Sequence, residues 1–166
     1  MMITLPPVVS VVGKSNVGKT TLMVRLIAEL KRRGYRVATV KHDVHGFDVD
    51  TPGKDSWKHA QAGSDCVVIA SPQKLTMVRN LERELTIDEI VATLPEVDIV
   101  LTEGYKRGDK PKIEVSRKEK GEQLLCTADE LIAIATDQPY DIPVPQFDLD
   151  DAVGLVDRLE EMYLCH

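Results

Sequence analysis

The stretch Gly13-Lys14-Ser15-Asn16-Val17-Gly18-Lys19-Thr20-Thr21 decides the fold of this 166-residue chain. It contains the full pattern Gly-x-x-x-x-Gly-Lys-Ser/Thr. The run Val8 to Val12 before it is rich in β-branched residues and predicts a buried strand. The residues after it are apolar at helical spacing, namely Leu22, Met23, Leu26, Ile27 and Leu30. A strand, this loop and a helix in that order predict a phosphate-binding loop, the P-loop.

The chemistry of a P-loop assigns a role to each part of this stretch. Glycines at its two ends let the backbone turn around a phosphate, which the loop's N–H groups and the helix N-terminus then bind. Lys19 is expected to reach the β- and γ-phosphates as a binding and catalytic residue, and Thr20 to place its hydroxyl on Mg²⁺. The predicted nucleotide-binding residues are therefore Gly13, Lys14, Ser15, Asn16, Val17, Gly18, Lys19, Thr20 and Thr21.

Outward from the P-loop, strand and helix patterns alternate along almost the whole chain. This alternation predicts an α/β fold with a doubly wound, mostly parallel sheet of the P-loop NTPase type. Strand patterns lie close together from Lys41 to Arg79, which predicts an inserted β-rich excursion. A last strand is predicted at Ile142 to Phe147, before a helix capped by Asp148 or Asp150. Because no linker divides the chain, we expect residues 1–166 to form one nucleotide-binding domain.

Composition excludes several classes of protein. A net charge of −6 and 4% aromatic residues argue against general nucleic-acid binding. No apolar run approaches the roughly 20 residues of a membrane-spanning helix, and the start of the chain lacks the basic region of a signal peptide. The three cysteines Cys66, Cys126 and Cys165 match neither a disulfide framework nor a zinc site. We therefore expect a cytoplasmic protein with reduced thiols and no membrane partner.

A second part of the site is predicted where another buried strand ends. The run Val97 to Thr102 is followed at once by Glu103 and Gly104. P-loop enzymes usually hold Mg²⁺ or its water with a carboxylate at the carboxyl end of a neighbouring strand. Glu103 is the candidate for this catalytic and metal-binding role, whereas Asp98 begins the same strand and lies at the wrong end.

The polar loop after the second strand is a further candidate, because it follows a strand that neighbours the first. Lys41, His42 and His45 are predicted to recognise a phosphorylated ligand, while Asp50 reaches the Mg²⁺ shell. Alternatively, the histidines and aspartates of this loop bind a metal of their own. A mobile polar loop without a ligand is a third interpretation, and the sequence leaves all three open.

Asp137 follows another buried strand, in the region where P-loop GTPases read the base. A carboxylate there accepts hydrogen bonds from both N–H groups of guanine, a pair of donors that adenine lacks. The sequence has no Asn-Lys-x-Asp stretch, so Asp137 as a simple cap of a turn or helix remains the alternative.

Taken together, these motifs resemble the MobB-type molybdopterin-guanine dinucleotide biosynthesis proteins. The resemblance extends from Val8 to the terminal helix, and the run from Asp48 to Ser56 is its most distinctive part. It rests on Gly13 to Thr21, Val40-Lys41-His42 with His45, Asp48 to Asp50, Pro52 to Ser56, Thr102 to Lys106, and Pro111 to Val115.

The resemblance implies a P-loop protein that binds GTP and Mg²⁺ and hydrolyses GTP poorly. It also implies a homodimer that assists MobA, the guanylyltransferase that joins GMP to molybdopterin, and it makes molybdopterin itself a candidate ligand.

Two other functions use the same P-loop. A small-molecule kinase needs a basic lid, for which the candidates are Lys106-Arg107 to Lys112 and Arg117 to Lys120. A partition-type ATPase places a lysine directly after the first glycine and extends it across a dimer interface, and Lys14 stands at that position. Those ATPases continue with two glycines where this chain has Ser15-Asn16, so a solvated Lys14 near the phosphates is the alternative.

Overall fold

A computed structural model describes residues 5–164 of the chain. Its strands and helices alternate as the hydrophobic pattern of the sequence predicts. Within these residues the strands are β1 Val8–Val12, β2 Val37–Lys41, β3 Cys66–Ala70, β4 Leu75–Arg79, β5 Ile99–Glu103, β6 Lys112–Ser116, β7 Leu131–Thr136 and β8 Gln146–Phe147. The helices are α1 Lys19–Arg32, α2 Asp55–Gln61, α3 Ile87–Val91 and α4 Ala152–Leu159, with a 3₁₀ turn at Lys118–Lys120 and a π-helical turn at Glu160–Leu164.

The main sheet of the described chain has six parallel strands in the order β2-β5-β1-β6-β7-β8. Its central strands β1 and β5 are mostly apolar and almost entirely buried, because both of their faces are covered. The chain passes from β1 to one side of the sheet and later returns to the other side at β6. The carboxyl end of β1 is thus the point where strand order reverses, which is where ligands bind in open α/β sheets.

Helix α1 packs its apolar stripe against this sheet and against α4. Leu22, Leu26 and Leu30 are buried on α1, as are Leu155 and Leu159 on α4. Ion pairs also connect the two helices, since the Arg33 guanidinium group contacts the carboxylates of Asp157 and Glu160. The doubly wound, mostly parallel α/β sheet predicted from the sequence is confirmed.

The chain divides into two compact units, one formed by residues up to 42 and from 91 onward, the other by residues 43–90. The second unit contains the antiparallel hairpin β3–β4 and helix α2, so the predicted β-rich excursion is confirmed. A reciprocal pair of bonds between Thr86 and Glu89 caps α3, which ends at Val91.

Two predictions at the end of the chain are wrong. The predicted strand from Ile142 shrinks to Gln146–Phe147, because Pro143 and Pro145 have no N–H to donate to a ladder. The cap of α4 is neither Asp148 nor Asp150 but Asp151, whose carboxylate accepts a bond of 2.8 Å from the Gly154 N–H.

Within residues 5–164, no helix has both the length and the apolar character needed to cross a bilayer. Of the cysteines, Cys66 is exposed and Cys126 is buried, while Cys165 lies outside the described residues.

Candidate functional site

The loop between β1 and α1 has the backbone geometry that its glycines predict. Gly13 has φ 152°, and a Cβ there would lie 2.5 Å from the Val115 carbonyl oxygen, so no side chain fits. Gly18 has φ 102°, a conformation that L-residues with side chains rarely adopt, and helix α1 starts at the next residue. Val17 turns its side chain into the core, which leaves only its backbone to face a ligand.

Lys19 lies over this loop and holds it closed. Its Nζ donates to the carbonyl oxygens of Gly13 at 3.0 Å and Lys14 at 2.8 Å. Partial burial lowers the pKa of Lys19, and the nearby Glu103 carboxylate opposes that shift. A cavity of about 340 Å³ opens beside the ammonium group, lined by Ser15, Asn16, Gly18, Lys19, Thr20, Thr21 and Glu103.

Glu103 reaches this cavity from the carboxyl end of β5. It pairs in register with Val11 of β1 and with Lys41 of β2, so its carboxylate lies at the edge where β1 ends. The Thr20 hydroxyl donates to Glu103 Oε1 at 2.9 Å. A hydroxyl and a carboxylate in contact are hard oxygen ligands of the kind that Mg²⁺ prefers, and these residues fit a magnesium ion bound with nucleotide phosphates.

The end of β2 is fastened to the loop that follows Glu103. The His42 ring stacks on Tyr105 with centroids 4.4 Å apart and planes 22° apart, and the His42 N–H donates to the Glu103 carbonyl at 3.0 Å. Both residues after Glu103 have positive φ, 102° for Gly104 and 57° for Tyr105. A Cβ on Gly104 would make a tight contact of 3.3 Å with His42 Cβ, and its φ of 102° is one that residues with a side chain rarely adopt, so glycine suits this position.

The remaining predicted residues of the polar loop belong to the second unit. The His45 N–H donates to Asp43 Oδ1 at 3.0 Å, and Asp50 Oδ1 accepts from the Thr51 N–H at 2.8 Å. Their roles toward a phosphorylated ligand and Mg²⁺ stay predictions. In the described part of the chain, no group of three His, Cys, Asp or Glu side chains is arranged to hold a metal ion, which gives a separate metal site in this loop no support.

A second cavity, of about 420 Å³, shares Gly18 and Thr21 with the first. It is lined by Val17, Gly18, Thr21, Arg25, Val115, Arg117, Thr136, Asp137, Asp148, Leu149 and Asp150. Asp137, the predicted base reader, stands at its edge directly after β7, and its Oδ1 accepts from the Lys118 N–H at 2.8 Å.

Sequence reasoning missed several residues of this second cavity. The sequence suggests Arg117 only as part of a lid, and Asp148 and Asp150 only as helix caps. A signal was present, since Arg117 directly follows the buried strand β6 and Asp148 directly follows β8. The carboxyl ends of parallel strands meet at one edge of a sheet, so both positions were candidates for the site.

Lys14 points away from the phosphate cavity and is held inside its own chain. Its Nζ donates to the Lys120 carbonyl at 2.9 Å, in the 3₁₀ turn that follows β6. Of the predicted P-loop residues, the phosphate cavity brings together Ser15, Asn16, Gly18, Lys19, Thr20 and Thr21. Lys14 is not among the residues that line it, and its side chain braces the loop instead.

Comparison with known proteins adds to this geometry. A sequence model of the family described as MobB, molybdopterin guanine dinucleotide synthesis protein B, matches residues 8–137, from the start of β1 to Asp137. The chain belongs to the MobB family. Two MobB relatives are named molybdopterin-guanine dinucleotide biosynthesis adapter protein. The one from Haemophilus influenzae is 33% identical over 93% of this chain and 88% of its own length. The one from Escherichia coli K12 is 34% identical over 95% and 94%.

A solved structure of a MobB protein, described as molybdopterin-guanine biosynthesis protein B, has the same fold. It superposes with a TM-score of 0.73 at 30% sequence identity and covers 93% of this chain and 99% of the other. The resemblance to MobB proteins predicted from the sequence is therefore confirmed, together with the α/β fold of that family.

Proposed function

We propose that the chain is a GTP-binding adapter protein of molybdopterin-guanine dinucleotide biosynthesis, which assists a MobA-type guanylyltransferase. The pathway is supported by the names of the relatives, which call them adapter proteins of that biosynthesis. GTP is the fitting ligand because the pathway attaches a guanine nucleotide. Molybdopterin is a second candidate ligand, and the cytoplasm is the expected location.

The observation that carries the proposal is the contact of Thr20 with Glu103 next to Lys19. The Lys19 ammonium group, Thr20 hydroxyl and Glu103 carboxylate line one cavity, as recognition of a triphosphate with Mg²⁺ requires. Thr20 and Glu103 would hold the ion. Bound there, Mg²⁺ neutralises phosphate charge and orients the phosphates. The chain's own part is to bind the phosphate oxygens with the loop's N–H groups and Lys19.

The two cavities support one orientation of the nucleotide. Both include Gly18 and Thr21 in their lining, so phosphates in the cavity beside Lys19 leave the nucleoside in the larger cavity beside Asp137. Asp137 Oδ1 accepts from the Lys118 N–H. A carboxylate accepts several hydrogen bonds, so the side chain can still receive both donors of guanine.

Slow hydrolysis is expected from the same lining. Of the described residues around the phosphate cavity, Glu103 is the one carboxylate, and Thr20 already donates to it. General-base activation of water needs a group within hydrogen-bond reach of that water, and no second such side chain lines this cavity. An adapter that holds its nucleotide fits this arrangement better than an enzyme with rapid turnover.

The bonds of the predicted lid residues favour the adapter over a kinase. Lys112 is buried, and its Nζ donates to Gly108 and Glu130 rather than facing a ligand. Arg117 donates to the Val17 carbonyl at 2.8 Å. The bond between Lys14 and Lys120 within the chain likewise favours the adapter over a partition-type ATPase, which needs Lys14 at a partner's nucleotide.

Homodimerisation is the second element of the proposal, supported by the hairpin of the second unit. The register pairs Val68 with Met77 and Ala70 with Leu75, so these side chains share one face of the hairpin. That face is exposed, with 48% of Val68, 67% of Leu75 and 59% of Met77 accessible. A two-stranded sheet is marginally stable by itself, and a second copy of the chain would cover this face.

The proposed function is tested by single-turnover assays with radiolabelled GTP and Mg²⁺, alone and with MobA and molybdopterin. The adapter predicts tight GTP binding, slow release of phosphate, and faster formation of the guanine dinucleotide by MobA when the chain is present. Rapid phosphoryl transfer to a small acceptor without MobA would instead establish a kinase. GTP binding with no effect on MobA would overturn the adapter role and leave the nucleotide site.

A further inference from the structure

Arg117 occupies an unusual position between the P-loop and the cavity next to it. It follows β6, which neighbours β1 in the sheet, and its Nε donates to the Val17 carbonyl at 2.8 Å. Its Nη2 comes within 3.5 Å of the place where a Cβ on Gly18 would stand. The guanidinium group is thus fixed beside the first turn of α1, and its bond to the P-loop uses Nε alone among its three nitrogens.

The cavity that Arg117 lines is large enough for a nucleoside and has the Asp137 carboxylate at its edge, but it lacks an aromatic surface. Its volume is about 420 Å³, and its described lining residues include no Phe, Tyr, Trp or His. A purine ring has a flat π-face that gains binding energy by stacking on a planar group. A guanidinium group is planar, weakly hydrated and attractive to aromatic faces, so it can replace an aromatic side chain in this role.

We propose that Arg117 is the platform on which the purine base stacks when the chain binds its nucleotide. The inference rests on the proposed function, since it presupposes phosphates at Lys19. It assigns to Arg117 a task different from that of Asp137, because a platform contacts the face of any base, whereas Asp137 faces the hydrogen-bonding edge of guanine.

The segment after β6 fixes the position of Arg117, the proposed stacking platform, relative to Asp137, the proposed reader of the guanine edge. The Lys118 N–H donates to Asp137 Oδ1 at 2.8 Å, one residue after Arg117. The Gln138 amide donates to the Gly121 carbonyl at 3.3 Å, and Lys14 to Lys120 at 2.9 Å. These bonds tie residues 117–121 to the P-loop on one side and to the Asp137 loop on the other.

The test compares Arg117→Lys and Arg117→Gln with the parent protein. Lysine keeps the positive charge and a donor for Val17 but has no planar face, so it separates stacking from charge and from bracing of the loop. Arg107→Gln is the matched control, because Arg107 is exposed and lines neither cavity. Displacement of a fluorescent GTP analogue gives affinities for GTP, ATP and inorganic tripolyphosphate, all with Mg²⁺.

We expect both Arg117 variants to lose about 5- to 30-fold in affinity for GTP and for ATP alike, the range for a desolvated cation–π contact. Tripolyphosphate, which has no base, should change less than about twofold for Arg117→Lys. Equal losses for tripolyphosphate and GTP would show that Arg117 acts on the phosphates or only braces the loop, and would overturn the proposal.

Unchanged GTP affinity in Arg117→Lys would overturn it as well. A parent protein that binds neither GTP nor tripolyphosphate would overturn the nucleotide site itself. That outcome is distinct from a parent that binds both ligands normally and shows no response to Arg117.

Discussion

The Thr20 hydroxyl donates to the Glu103 carboxylate across 83 residues of sequence, at 2.9 Å. The contact exists because β1 and β5 are parallel neighbours, with Val11 opposite Glu103, so that the start of α1 and the end of β5 meet at one edge. The Thr20 hydroxyl and the Glu103 carboxylate, which lie far apart in the sequence, are therefore adjacent beside Lys19.

Lys19→Ala should weaken binding of a GTP analogue by about 100-fold, because a buried charge-assisted contact to phosphate is lost. Isothermal titration with Mg²⁺ measures this affinity. Thermal unfolding should stay cooperative, since the two carbonyl partners of Lys19 lie in an accessible loop. Lys74→Ala, in the exposed turn between β3 and β4, is the control. An unchanged affinity in folded Lys19→Ala protein would remove the P-loop as the binding site.

Glu103→Gln should reduce Mg²⁺-dependent hydrolysis of GTP more than it reduces GTP affinity. The carboxylate orients the ion or its water, whereas the loop's N–H groups supply most of the binding. The amide keeps an oxygen that can accept from Thr20, so the contact between the two residues survives. Phosphate release against Mg²⁺ concentration is the measurement. Identical profiles in variant and parent would assign the role to another acid, such as Asp50.

Asp137→Ala should weaken GTP by about 10- to 100-fold and leave ATP nearly unchanged, because a matched pair of hydrogen bonds to guanine is lost. Asp137→Asn is the sharper variant, since its amide oxygen can still accept from Lys118 while its NH₂ donates to the O2 of xanthine. Competitive displacement by GTP, ATP and XTP gives the ratios. Equal competition by GTP and ATP in the parent would show that the base edge is not read.

Met77→Lys should shift the chain from dimer to monomer, because it puts a charge in the centre of the exposed apolar face of the hairpin. Sedimentation velocity of variant and parent over a range of concentrations measures the change. Thr76→Lys, one residue away on the opposite face, is the control. A parent that is monomeric at every concentration contradicts the dimer, and a dimer unaffected by Met77→Lys places the interface elsewhere.

Acid stability should depend on Glu29. Hydrogen bonds from Arg32 and then Arg33 lower the pKa of Glu29 to about 2 from its ordinary value of 4.5. A carboxyl group with a lowered pKa contributes stability above pH 4.5, and this contribution disappears as the pH falls toward 2. In Tm measured from pH 7 to pH 2, the parent should therefore decline more steeply below pH 4.5 than Glu29→Gln.

The control for that prediction is Glu161→Gln, which removes the partner of a surface pair with Arg158. Its Tm profile should run parallel to that of the parent. If Glu29→Gln and the parent decline in parallel, the bonds of Glu29 to the two arginines do not stabilise the fold.

Much of this architecture could be predicted from local sequence. The P-loop, the bounds of β1, and Glu103 at a strand end all follow from patterns within about ten residues. What escaped prediction depends on contacts between distant segments. The stack of His42 on Tyr105 and the bond from Arg117 to Val17 require the strand order, which no single segment specifies. The cap at Asp151 was missed because three aspartates lie within four residues and only the backbone of the turn selects among them.

The most direct test of the central claim is isothermal titration of the parent protein with GTP, performed with Mg²⁺, with EDTA, and with ATP in place of GTP. We predict binding of one GTP per chain that weakens when Mg²⁺ is removed, and an affinity for ATP at least about tenfold lower, as the loss of a hydrogen-bonded pair requires. Absence of GTP binding in the presence of Mg²⁺ would contradict the account, whatever the chain contributes to molybdopterin-guanine dinucleotide biosynthesis.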